Sequence, residues 1–261
     1  MDEHILDDLA LNNALSGTNS HLKLLLGISS ILICVFSPSF FTPFVVGISM
    51  AAVTVGLAKI PLREYITLLM IPVTFAASGA IVILFLTGGG DPILSLSLFG
   101  ATLTATTGGA NLSLLVLSRT FGGMSALFFI ALSTPMIQIF TVFHDLKFPR
   151  EFIDLSMMVY RLIFIFIGEA IAIHNAQVMR NGYNGLKNSV HALSMLCGAL
   201  FIKAWVRGEE MLIAMDSRCY DGKFEQCGAK QTIGILPAAA TGAYLCGCSV
   251  LAVVFSGITL F

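Results

Sequence analysis

Charged residues are scarce in this sequence: Asp, Glu, Lys and Arg make up 11% of its 261 residues, whereas about a quarter is typical of soluble domains. The net charge is −1, so the chain lacks the basic surface that nucleic-acid binding requires. A membrane helix needs about 20 apolar residues. The stretches free of charge that reach this length are 24–58, 65–90, 92–118, 120–144 and 231–261. The composition therefore predicts an all-α, polytopic membrane protein and excludes an ordinary soluble or disordered chain.

Several catalytic and targeting motifs are also absent. The sequence has no Walker A motif, so we do not expect it to hydrolyse ATP, and no G-x-S-x-G or H-E-x-x-H motif of hydrolases. Residues 1–20 contain neither Lys nor Arg, so no cleavable signal peptide is predicted. The five histidines lack the spacing of metal ligands, and the C-x-C at Cys246 and Cys248 is interpreted as helix packing. We expect a non-catalytic protein with no cofactor and no metal site.

Breaker residues divide the apolar sequence into helices. Ser-Pro-Ser at 37–39 predicts a helical hairpin, and Gly-Gly-Gly-Asp-Pro at 88–92 predicts the end of a third helix. The region 93–118 is ambiguous between five and six spans in total; we favour a re-entrant or interfacial piece before one full span. The predicted spans are 22–36, 40–58, 64–87, 112–134 and one within 232–260.

The charges that exist are concentrated in one region. Nineteen of the 29 charged residues lie within 145–230, which divides the chain into membrane helices over 1–134 (about four spans), a cytoplasmic region over 135–230 and a final membrane helix over 231–261. The loop 59–63 carries two positive residues and the proposed outer loops carry none. The positive-inside rule then places the N-terminus and the charged region in the cytoplasm.

The charged region predicts two long helices, from about Phe148 to Arg180 and from about Leu186 to Arg218. At 1.5 Å per residue each is about 50 Å long, which exceeds the membrane core. Each ends in Ala and Arg four residues apart, followed by a Gly that stops the helix. At the end of the first, Asn and Gly within 181–185 are expected to supply a left-handed C-cap. These positions are Ala176, Arg180, Gly182, Ala214, Arg218 and Gly222. Two interpretations stay open: simple C-terminal capping by Arg, or two docking tips whose guanidinium groups enter acidic grooves of a partner.

Arg119 is the lone charge between residues 92 and 144. Intramembrane charges are costly and are often functional. Alternatively, Arg119 marks the outer end of the fourth span and extends its side chain to the membrane surface.

Several segments together resemble a known family. They are Leu-Ser-Thr-Pro-Met at 132–136, Phe-His-Asp-Leu-Lys-Phe-Pro at 143–149, Val-Tyr-Arg-Leu-Ile-Phe at 159–164 and the two arginine signatures. The chain resembles the transmembrane T component of energy-coupling factor (ECF) importers, in particular the cobalt-type CbiQ family. The resemblance covers about 116–225 well and 20–65 weakly. Cys219 departs from the Gly common in the family, and Asn181 intervenes between Arg180 and Gly182.

The resemblance implies a coupling subunit of an ATP-driven importer in the prokaryotic cell membrane. Its expected partners are two CbiO-type ATPase subunits and a separate CbiM-type substrate-binding subunit, with a small CbiN-type subunit as an optional addition. The two arginine tips would contact the ATPases. Further structural or coupling positions are Pro135, Pro149, Tyr160, Arg161, Glu169, Arg207 and Glu210.

The resemblance favours cobalt as cargo, in the service of cobalamin biosynthesis. Nickel, or a vitamin module shared among several substrate-binding subunits, stays open. The two non-coupling alternatives are a membrane-embedded enzyme and a permease or scaffold that acts alone. The enzyme would need convergent Asp, His or Ser residues within the spans, and the lone permease would have no use for two Arg-tipped helices.

Overall fold

The structure is a computed structural model, and it describes residues 13, 15, 17–87, 92–98, 101–220 and 234–255. For residues 92–98, 101–105 and 236 it gives the backbone path alone. The acidic N-terminus, the predicted stop at 88–91 and Gly222 lie outside the described residues.

Helices dominate the described chain. They are α1 (Ser20–Phe36), α2 (Phe41–Ala52), a π-helical turn (Val53–Leu57) that continues α2, α3 (Leu62–Leu86), α4 (Thr107–Ser133), α5 (Met136–Asp145), α6 (Arg150–Met179), α7 (Leu186–Asp216) and α8 (Ile235–Val254). The all-α, polytopic prediction is confirmed. One element departs from it, because the sequence between α3 and α4 forms a two-stranded hairpin.

The hairpin pairs β1 (Pro92–Leu98) with β2 (Ala101–Thr106) in antiparallel register, with Leu96 opposite Leu103. The prediction of a re-entrant or interfacial piece here rested on apolar content. Leu alternates with Ser in β1 and Thr recurs at every second residue of β2. A period of two is the pattern of a strand, so periodicity is the better guide in this segment.

Five of the described helices are long and apolar enough to cross a membrane: α3, α4, α6, α7 and α8 from Pro237 onward. The number agrees with the prediction, but the set differs. The prediction counted α1 and α2, which are shorter apolar helices, and left out α6 and α7 because of their charges. Each of α6 and α7 contains an 18-residue window with at most two charged residues, so overall charge hides a long apolar run.

The first compact unit comprises Met1–Ile139 and Ala229–Phe261, and α4 lies at its centre. Helices α1, α2 and α3 all pack against α4. The core between them combines the small or flexible side chains of Cys34, Met50 and Ala126 with the larger Phe129. Small residues let helix backbones approach closely in a membrane, where dispersion forces replace the hydrophobic effect.

The second compact unit comprises Phe140–Gly228 and contains the paired helices α6 and α7. Lys203 of α7 forms an ion pair with Glu169 of α6. Tyr160 packs edge-on against both Phe140 and Phe164. The ion pair joins α6 to α7, whereas the aromatic contacts of Tyr160 join α5 to α6 and stack within α6.

Candidate functional site

The C-terminal end of α6 forms a Schellman cap. Asn181 is in the left-handed conformation, with φ of +56°. Its N–H donates to the Val178 carbonyl at 3.0 Å, and the Gly182 N–H donates to the Gln177 carbonyl at 2.9 Å. Those two bonds define the motif, and they place Arg180 as the residue just before the left-handed position.

The C-terminal end of α7 repeats this geometry. Cys219 has φ of +56°, and its N–H donates to the Asp216 carbonyl at 3.1 Å. The Tyr220 N–H donates to the Met215 carbonyl at 3.1 Å. Arg218 therefore occupies the position that Arg180 occupies in α6, and the two tips are equivalent in backbone as well as in sequence.

The glycines are not the residues that stop these helices. The left-handed residues are Asn181 and Cys219, so only the Asn part of the predicted left-handed cap is correct. Gly182 instead permits a close approach, since a Cβ there would lie 3.0 Å from the Gln177 carbonyl oxygen. The residue of α7 equivalent to Gly182 is Tyr220. The sequence comparison paired Gly182 with Gly222, whereas the structure pairs Gly182 with Tyr220. The pairing failed because the left-handed residue need not be Gly: Asn adopts this conformation, and Cys does so at a higher cost.

The side chains of the tips face outward. Ala176, Arg180, Ala214 and Arg218 are all exposed. Neither arginine has a hydrogen bond or ion pair to any residue that the structure describes. Each Ala lies one turn before its Arg on the same helical face. A small residue beside a free planar guanidinium suits bidentate recognition of a carboxylate.

A hydrogen-bond network supports the α6 tip. The Tyr183 hydroxyl donates to Gln177 Oε1 at 2.8 Å and lies 2.9 Å from His174 Nδ1. Gln177 Nε2 donates to the Ala192 carbonyl of α7 at 2.9 Å. Sequence reasoning missed this network because its members come from both helices and the turn between them. The aromatic residue in Asn-Gly-Tyr-Asn-Gly at 181–185 was the one available signal.

The other predicted coupling positions are scattered along the two helices. Glu169 pairs with Lys203 between helices, whereas Arg207 Nη1 contacts Glu210 Oε2 at 3.2 Å within α7. Arg161 is exposed on α6. Pro149 precedes the first residue of α6, and its carbonyl accepts from the N–H groups of residues 152 and 153.

Arg119 lies twelve residues after the start of α4, about 18 Å along the helix. Its Nη2 donates to the Ser37 carbonyl at 2.7 Å. The side chain thus ties α4 to the turn between α1 and α2. Arg119 lies within α4 and not at its end, but Ser37 belongs to the predicted outer loop 37–39. Both interpretations of Arg119 therefore stay predictions.

No group of three or more His, Cys, Asp or Glu residues arranged to hold a metal ion occurs in the described part of the chain. His174 contacts Tyr183, and His144 lies 3.6 Å from its neighbour Asp145. The geometry offers no metal-transfer chemistry among the described histidines.

Comparison with known proteins identifies the family to which the chain is similar. The family model of the cobalt transport protein CbiQ matches residues 12–227. A putative fused cobalt transport protein CbiMQ of Methanocorpusculum labreanum is 48% identical over 223 residues, which cover 85% of this chain and 37% of that protein. The chain thus spans little more than a third of that relative.

Two further relatives match over most of their own length. An uncharacterized protein of Methanocaldococcus jannaschii is 35% identical over 86% of this chain and 84% of its own. The cobalt transport protein CbiQ of Salmonella typhimurium is 27% identical over 67% of this chain and 78% of its own.

Proposed function

Because the chain belongs to the CbiQ family of cobalt transport proteins, we propose that it is the transmembrane coupling subunit of an ECF-type importer for cobalt ions. Its long apolar helices make it a multi-pass membrane protein. The observation that carries the coupling role is the pair of equivalent helix tips. Two exposed arginines, each at the same position of the same cap, suit two similar partner subunits.

The proposed mechanism uses α6 and α7 as levers. With 30 and 31 residues, each is about 45 Å long, so a small movement at a tip displaces residues far along the helix. Each tip binds one of the two CbiO-type ATPase subunits through an Arg–carboxylate pair. The Gln177–Tyr183 network and the Glu169–Lys203 pair keep the levers together, so that ATP-driven motion reaches the whole unit.

The expected recipient of this motion is a CbiM-type substrate-binding component. The fused relative supports this pairing, since its name joins the two components in one protein. In the proposed role the chain itself catalyses no reaction: ATP is hydrolysed by the partners and the metal is held by the substrate-binding component. The positive residues of the loop 59–63 and of α6 and α7 support a cytoplasmic location for both tips, because positive residues favour the inner side of the membrane.

The test is a double substitution, Arg180→Ala with Arg218→Ala, in the complex reconstituted in liposomes with its ATPase and substrate-binding partners. We expect cobalt uptake to fall about a hundredfold or more, because each charge-assisted hydrogen bond contributes about 1.5–3 kcal/mol. ATP hydrolysis should continue without being coupled to uptake.

The matched control is Arg150→Ala, an exposed arginine at the opposite end of α6, which should leave uptake unchanged. Uptake is measured as radioactive cobalt accumulated per ATP hydrolysed. A double variant that assembles and transports like the unchanged protein would contradict the proposed function.

A further inference from the structure

The end of α4 is a buried polar turn. Pro135 has no N–H and cannot continue the helix, so the last carbonyls of α4 lack their usual helical donors. Side chains from the beginning of the chain replace those donors. Lys23 Nζ donates to the Ser133 carbonyl at 3.0 Å, and Asn13 Nδ2 lies 3.2 Å from the carbonyls of both Leu132 and Ser133.

The ammonium of Lys23 is almost completely buried, since the residue is 4% exposed. Burying a charge is costly unless it gains a compensating interaction. Here the compensation is the Ser133 carbonyl together with the negative end of the α4 dipole, and no carboxylate pairs with Lys23 in the described ranges. An apolar side chain of similar length would fill this space without the cost of desolvation. The lysine therefore indicates a use for its charge.

The turn lies at the end of α4, shortly before the chain passes from the first compact unit to the second. Helix α5 begins one residue after Pro135, and the chain passes from the first compact unit to the second within α5, after Ile139. Any displacement carried along the chain from α6 to α4 must pass through this break. A proline break that is free to bend would absorb the displacement, whereas a break held by buried hydrogen bonds would pass it on.

We propose that Lys23 is a positioning residue for coupling: its ammonium fixes the direction in which α5 leaves α4. This inference rests on the proposed function, since it assumes that motion of the second unit drives transport. It goes further by assigning the step at which that motion enters the helices of the first unit. Sequence reasoning missed Lys23, which adjoins the first charge-free stretch, because its burial depends on the packing of α1 against α4.

The test compares Lys23→Met with Lys23→Arg in the reconstituted complex, with cobalt uptake and ATP hydrolysis measured on the same vesicles. We expect Lys23→Met to lower uptake per ATP hydrolysed about tenfold, the factor that follows from losing one charge-assisted hydrogen bond. Lys23→Arg keeps a cationic donor and should retain most of the ratio. Lys59→Met, an exposed lysine of the same unit, should leave it unchanged.

The ratio of uptake to hydrolysis separates positioning from simple loss of folded protein, which lowers both rates together. Should Lys23→Met fail to assemble, Lys23→Gln is judged by the same ratio. An unchanged ratio, or failure of both neutral variants to assemble, overturns the inference. If the double arginine variant uncouples transport and Lys23→Met does not, the inference alone fails. If the double arginine variant also transports normally, the proposed function fails first.

Discussion

At the scale of single residues, the two tips depend on one unusual backbone conformation. Asn adopts the left-handed region several times more readily than most residues, and Asn181 was predicted to end α6 for this reason. Cys219 was noticed only as a departure from glycine. Cys carries no local preference for positive φ, so the sequence could not indicate that it takes the same role at the end of α7.

We predict that Cys219→Gly raises the free energy of unfolding by about 0.5–1 kcal/mol. The left-handed conformation costs an ordinary residue about 1–2 kcal/mol, and the greater freedom of Gly in the unfolded chain offsets part of that gain. Thermal unfolding in detergent, followed by the fluorescence of the single tryptophan, Trp205, measures the effect.

The control for this substitution lies in the same helix. Cys197 is exposed and helical, so Cys197→Gly should lower stability by a few tenths of a kcal/mol to 1 kcal/mol because glycine is a poor helix former. Two changes of the same sign would show that the conformation of residue 219 does not determine the result.

At the scale of helices, close approach of backbones holds the first unit together. A Cβ at Gly122 of α4 would collide with the Pro43 carbonyl of α2 and the Sγ of Cys34 of α1, whereas a Cβ at Gly123 would meet nothing within 4 Å. Sequence periodicity does not distinguish these adjacent glycines. Apolar length predicted the helices well, for instance α1 at 22–36 against Ser20–Phe36, but their contacts depend on which face each one turns to α4.

Gly122→Ala should therefore lower the free energy of unfolding by about 1–2 kcal/mol. The cost of overpacking, about 1–3 kcal/mol, exceeds the helix propensity that alanine adds. At Gly123 the added methyl group meets no neighbour, so only the better helix propensity of alanine counts. Gly123→Ala should therefore raise the free energy of unfolding by about 0.5–1 kcal/mol. Denaturation of the two variants in the same detergent tests the pair, and equal effects would contradict the described packing of α2 on α4.

At the scale of the whole molecule, the orientation in the membrane is a prediction that rests on charge alone. Sequence patterns predicted a polytopic helical protein and two Arg-tipped helices, since apolar length and i, i+4 spacing are local properties. They could not predict the buried Lys23 or the link from Arg119 to Ser37, because each bond joins residues more than 80 positions apart. The orientation in the membrane is determined neither by these local sequence patterns nor by contacts within the structure, so it needs a direct measurement.

A thiol-labelling experiment measures the orientation of the protein in the membrane. In a variant whose only cysteine is Cys219, exposed at the α7 tip, a membrane-impermeant maleimide should react in inverted vesicles and not in right-side-out vesicles. The same background with Cys219→Ser controls for labelling elsewhere. Reaction from the outside would reverse the predicted topology and remove the tips from the compartment that holds ATP.

The two tips share a cap but not the residue that follows it, which is Gly182 in one and Tyr220 in the other. Two identical ATPase subunits would be related by a two-fold axis, yet this single chain would offer them unequal surfaces. The assembled importer would then be asymmetric even with identical motor subunits. One ATPase would meet a bare backbone and the other a phenol ring, so the two nucleotide sites need not respond alike to the same lever.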